Sequence, residues 1–172
     1  DFCLSRGLGD VYKRQGKQVL FTPDFIPIEQ RVKMFENEDY AAKTMDEEVT
    51  GEYFTANGER VRSKSEIIIA DHLRRYGVVY KYEKPLELTV HGRRVTFYPD
   101  FTVMNSRTGR IYYLEHFGMM DNEDYYNAVL RKLDAFEMNQ LLIGRDVLLL
   151  HESSSAPLNT RVLDCYIQEY LV

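Results

Sequence analysis

Hydrophobic and polar positions along this chain follow two regimes. Residues 16–59 show little periodicity and many acids, as in "FENEDYAAKTMDEEVTGEYFTANGE". A short helix around Ile28–Phe35 is expected there, and otherwise an extended or partly ordered lead-in. From residue 60 the pattern sharpens. "RSKSEIIIADHLRRYG" predicts a helix with Ser63 as its N-cap and Gly77 at its C-terminal end. "VVYKYEKPLEL" and "RRVTFYPDFTVMN" read as strands separated by a turn at His91-Gly92. A tight turn at Ser106–Gly109 leads into a third strand, "RIYYLEHFG". Asp121 is expected to cap a helix running to about Asn139, with Tyr125, Val129, Leu133 and Phe136 on one face. Gly118-Met119-Met120 reads as the turn into that helix, its methionines filling gaps in the core. "DVLLLHE" is nearly all apolar, like a strand buried on both faces. An amphipathic helix beginning near Asn159 closes the chain. The order, α-β-β-β-α-β-α, implies an α/β fold.

Composition changes that picture at one end. Residues 1–15 (DFCLSRGLGDVYKRQ) resemble translated sequencing adapter and are expected to lie outside the natural gene. Without them 157 residues remain, enough for one domain with a sizeable core. Residues 16–59 then form an acidic lead-in and residues 60–172 the folded domain. Cys165 is the single cysteine beyond the adapter-like segment, which holds Cys3. A lone thiol makes no internal disulfide and suits a reducing cytoplasm. No apolar run approaches the ~20 residues of a membrane span. The formal net charge is −5, which argues against indiscriminate coating of nucleic acid. Residues 60–94 nevertheless carry 9 Lys+Arg against 4 Asp+Glu, a basic segment in an acidic chain. Arg60, Arg62, Lys64, Arg74, Arg75, Arg93 and Arg94 are its candidate phosphate contacts, with a solvated surface as the plainer reading.

Three acids stand out by placement. Glu66 lies in the first turn of the first long helix, Asp100 in the second strand and Glu115 in the third. Pairing of those two strands would bring Asp100 and Glu115 together. Grouped carboxylates suit a hard cation such as Mg²⁺ (or Mn²⁺), which can polarise a scissile phosphate and lower the pKa of an attacking water. Each acid has an alternative role. Ser63-Lys64-Ser65-Glu66 matches a capping box, in which Glu66 satisfies a backbone N–H. Asp100 could be a turn residue after Pro99, yet its aromatic neighbours favour burial, as does the apolar strand around Glu115.

A helical Glu, then "YPDF", then "YLEHFG", then a helix together resemble the PD-(D/E)xK nuclease superfamily, and more narrowly an uncharacterised bacterial group within it. The resemblance covers about Tyr53 to Leu171. It implies a restriction-endonuclease-like fold, a mixed sheet of about four strands flanked by helices. It also implies metal-dependent hydrolysis of DNA phosphodiester bonds, with Glu66, Asp100 and Glu115 as metal ligands. The strand lysine of that pattern is replaced by Phe117, which can neither orient water nor offset phosphate charge. His116, or Lys132 from the following helix, would then assist at the nucleophile, with Lys64 and Lys81 as further candidates. The same substitution leaves open a catalytically silent module that binds nucleic acid or regulates a partner. Nucleases that cut both strands commonly work as dimers, so a homodimer stays open. A second Pro23-Asp24-Phe25 lacks a paired acidic strand and reads as coincidence, and His151-Glu152 reads as loop chemistry.

Overall fold

The computed structural model describes residues 26–41, 43, 51–119 and 122–172, together with the backbone of two short N-terminal strands. Those strands, β1 (Val11–Arg14) and β2 (Lys17–Leu20), pair antiparallel across the end of the adapter-like segment. Cys3, the second Pro23-Asp24-Phe25, Met120 and Asp121 lie outside the described residues.

Helix α1 (Ile28–Glu36) forms where the pattern placed it. It docks on the later domain, with the Arg31 guanidinium donating to the Gly109 carbonyl at 2.8 Å and Lys81 donating to the carbonyls of Glu36 and Glu38. A small hairpin, β3 (Tyr53–Phe54) and β4 (Arg60–Val61), bridges the point where the charge changes sign. Helix α2 (Lys64–Arg75) follows at once. The Ser63 hydroxyl accepts from the Glu66 N–H at 3.2 Å, and Gly77 takes a positive φ of 70° after the last turn.

The centre is a mixed four-stranded sheet in the order β10-β9-β8-β5, flanked by helices. Its strands are β5 (Val79–Tyr82), β8 (Phe101–Met104), β9 (Ile111–Phe117) and β10 (Val147–His151). Neighbours β5/β8 and β8/β9 are antiparallel; a short turn joins β8 to β9, whereas residues 83–100 separate β5 from β8. The β8–β9 turn is held by Asn105, whose side-chain carbonyl accepts from the N–H groups of Arg107 and Thr108. β9 and β10 are parallel and need a crossover, which helix α3 (Glu123–Met138) supplies. Helix α4 (Thr160–Tyr166), capped by Asn159, continues into a π-helical turn at Ile167–Leu171. Ile69 and Leu73 of α2 pack with Phe101, Leu114, Leu148 and Leu163 in a core that excludes water.

Three expectations need correction. The two long strands predicted over residues 78–105 each break, giving a separate antiparallel ribbon of β6 (Leu86–Val90) and β7 (Arg93–Phe97). Glu83 takes a positive φ of 44° next to Lys84-Pro85, and Pro99 interrupts the return strand. Proline has no N–H for a ladder, so neither run crosses the sheet unbroken. Helix α3 is capped by Asn122, whose side chain accepts from the Tyr125 N–H at 3.0 Å. Met119 is 54% exposed and fills no core gap. The turn at His91-Gly92 does form, with φ of 49° and 75°, the paired positive values of a type I′ hairpin. No helix among the described residues is long and apolar enough to cross a membrane.

Candidate functional site

The break after β7 decides where Asp100 goes. It leaves the ribbon through Tyr98-Pro99 and enters β8 at Phe101, opposite Leu114 of β9. One Asp100 carboxylate oxygen, Oδ2, accepts from the His116 N–H at 2.7 Å, which ties the acid to β9 beside Glu115. Glu115 is fully buried, and its neighbour across β10 is Leu149. Strand alternation puts Glu115 and Phe117 on one face and His116 on the other.

Glu115 meets its cation from α3. The Lys132 ammonium lies 2.5 Å from Glu115 Oε2. Its register follows from the helix burying Val129 and Phe136, because Lys132 falls between them on the same side. Together with Asp100, Phe117, Tyr125 and Val129, the pair lines a cleft of about 170 Å³. The Tyr125 hydroxyl accepts from the Gly118 N–H at 3.1 Å at its edge.

The electrostatics of this cleft are unbalanced. Burial pushes the Glu115 carboxyl up to about 8, Lys132 opposes the shift, and Asp100 adds to it. Burial also works to depress Lys132, but the Glu115 and Asp100 carboxylates outweigh it and hold the amine above its ordinary value. Glu115 Oε1 is buried and has no hydrogen-bond partner. Buried Glu115 and half-buried Asp100 both lie near one ammonium, which pairs with Glu115, and an oxygen is left over. An orphaned carboxylate oxygen of this kind fits an additional cation.

Glu66 faces the same region from α2, and burial followed by the Asp100 charge raises its pKa. Its Oε2 accepts from the Tyr82 hydroxyl and the Arg62 N–H, both at 2.7 Å. Glu66 therefore acts as a cap on the residue before Ser63 while sensing Asp100. Among the described residues, no three His, Cys, Asp or Glu side chains are placed to hold a metal as they stand.

His116 also borders the cleft, and its imidazole reaches toward Glu152. Nε2 lies 3.6 Å from Glu152 Oε1 without a hydrogen bond, and burial holds the ring below its ordinary pKa. Glu152 in turn accepts from the Ser65 hydroxyl at 3.0 and 2.9 Å and from the Leu158 N–H at 3.1 Å. It is a structural clamp between α2 and the chain after β10, rather than a residue of loop chemistry.

The basic residues sort into two groups. Arg62 forms a two-pronged pair with Glu83, Arg75 lies 3.9 Å from Asp164, and Lys81 donates to α1 carbonyls. Arg60, Lys64, Arg74, Arg93 and Arg94 stand exposed. Sequence reasoning overlooked Tyr82, read Glu152 as loop chemistry and treated Tyr125 only as a core position. A tyrosine in a strand otherwise buried against the core was the available signal, because its hydroxyl must find a partner.

No family model and no solved structure matches the chain. An uncharacterized protein of Methanocaldococcus jannaschii is similar to it, 30% identical over 123 residues. That match takes in 64% of this chain but only 10% of the archaeal protein, so the chain spans about a tenth of that relative's length.

Proposed function

We propose that this chain is a metal-dependent DNA nuclease that hydrolyses phosphodiester bonds, with a helix-borne lysine standing in for the strand lysine of the PD-(D/E)xK family it resembles. The observation that carries the reading is the Lys132–Glu115 pair, 2.5 Å apart in the cleft that Asp100 also lines. Asp100 and Glu115 would hold a Mg²⁺ or Mn²⁺ ion, with Glu66 completing the set from α2. Such an ion, when bound, supplies charge to the phosphate and acidity to a coordinated water. Lys132 has three N–H donors and gives one to Glu115, leaving donors for a phosphate oxygen or an attacking water. His116 contributes its backbone N–H, which fixes Asp100. The unpartnered Glu115 Oε1 supports the metal, since two acids with one ammonium invite a further positive charge.

A second reading, a catalytically silent module that binds nucleic acid or regulates a partner, draws on Glu66. Tyr82 and Arg62 already occupy one of its oxygens. Calorimetric titration of Mn²⁺ separates the two. The nuclease reading expects binding by the parent that disappears in Asp100→Ala, together with metal-dependent cleavage of DNA. DNA binding that persists in EDTA, with no metal uptake and no cleavage under any divalent ion, would establish the silent module instead.

A further inference from the structure

The β6–β7 ribbon lines no part of the cleft, yet it packs on the helix that carries Lys132. Its inner face carries Leu86, Leu88, Val90 and Phe97, which pack on Ala135 and Phe136 of α3 and on Val147. Asn139, at the C-terminal end of α3, clasps the strand on both sides: its amide donates to the Thr89 carbonyl and its side-chain oxygen accepts from the Thr89 N–H. One helix thus positions Lys132 in the cleft and the ribbon beside it. Beyond Thr89 the ribbon projects as a narrow type I′ tip, His91-Gly92, followed by Arg93 and Arg94.

What sets these two arginines apart is that they are adjacent, at the tip of a hairpin. Arg62, Arg75, Arg110 and Lys84 are paired with acids. Arg93 and Arg94 are exposed, and neither side chain has an ion pair or hydrogen bond among the described residues. Consecutive strand residues point to opposite faces, so the two guanidiniums flank the tip on either side. Arg94 is six residues from Asp100, about 20 Å of extended chain, or roughly six base pairs of B-form rise.

We propose that the β6–β7 ribbon is a grip for duplex DNA, its tip entering the major groove beside the cleft with Arg93 and Arg94 meeting phosphates on opposite walls. The identity of the polymer rests on the nuclease reading. The groove geometry narrows it further. A B-form major groove admits a two-stranded ribbon, whereas that of A-form RNA is too deep and narrow. A single strand has no groove walls to span. The rival account is that Arg93 and Arg94 only blunt the open edge of β7 against aggregation. A glutamate would blunt the edge equally well and would repel phosphate.

The test is anisotropy binding of the full chain in EDTA to a DNA duplex, the matching single strand and an RNA duplex. Parent, Arg93→Glu/Arg94→Glu and Arg93→Lys/Arg94→Lys are compared, with thermal melts as the control for folding. The grip predicts that charge reversal weakens duplex DNA binding at least about tenfold and lowers the salt-dependence slope by about two. It predicts that single-strand affinity changes little and that the lysine variant stays near the parent. Unchanged duplex binding by the reversed variant overturns it, as does equal loss on both DNA forms. Equal affinity of the parent for RNA duplex also overturns it. Metal uptake and cleavage judge the nuclease reading separately, so a cleaving enzyme indifferent to the ribbon variants would lose only the grip.

Discussion

The two faces of β9 look onto two carboxylates in contrasting surroundings, fully buried Glu115 and half-buried Glu152. On one face Glu152 meets the Ser65 hydroxyl and the Leu158 N–H, and the neutral His116 ring closes over it. On the other face Glu115 has one ammonium, a nearby second acid and an oxygen with no partner. The first arrangement fastens α2 to the chain after β10 and gives its carboxylate several donors, although His116 Nε2 beside it is buried without a hydrogen bond. The second keeps a charge imbalance inside the fold. Folds retain such imbalance where a ligand or substrate relieves it, which is why the Lys132 face, and not the His116 face, is the candidate site.

The largest expected effect comes from breaking the unbalanced face. Lys132→Met should lower cleavage by about two to three orders of magnitude. It should also destabilise the fold by about 2 kcal/mol, a reduced value because the amine is partly exposed. The double variant Glu115→Leu/Lys132→Met is expected to regain stability in thermal melts without regaining cleavage, since it removes both charges together.

Next in size is a pH effect. The Glu115 carboxyl titrates near 8 in the fold against an ordinary 4.5. A carboxyl whose folded pKa is raised contributes stability below its unfolded value and loses it as pH rises through the folded one. Denaturant melts of the parent should therefore weaken between about pH 4.5 and 8. Glu115→Gln should flatten that slope. A parent whose stability is level over this window would contradict the proposed imbalance.

The smallest effect belongs to the Glu152 face. Ser65→Ala removes one donor from Glu152, which keeps the Leu158 N–H, so the cost should be about 1 kcal/mol. Mn²⁺ binding and cleavage should stay at parental levels. A large loss of either would mean that the two faces are not independent.

Local signals made much of this fold legible. The α2 and α4 caps, the Gly77 stop, the His91-Gly92 turn and the apolar run of β10 are all written in neighbouring residues, because capping, turn and burial preferences act over a few positions. Proline at 85 and 99 was readable too, yet its effect depended on whether a ladder had to pass through it. Asp100 and Glu115 could be nominated because acids in aromatic and apolar strands need partners.

The sequence by itself determined the main helices and the runs that form strands, the acids that required compensation and the absence of a lysine at position 117. Only the tertiary structure decided which cation answers Glu115, that His116 faces Glu152, and that the ribbon leaves the sheet to lie on α3. Such choices depend on how one helix is rotated over a sheet. The burial of Val129 and Phe136 sets that rotation through contacts between residues far apart in the chain, and no local pattern encodes it.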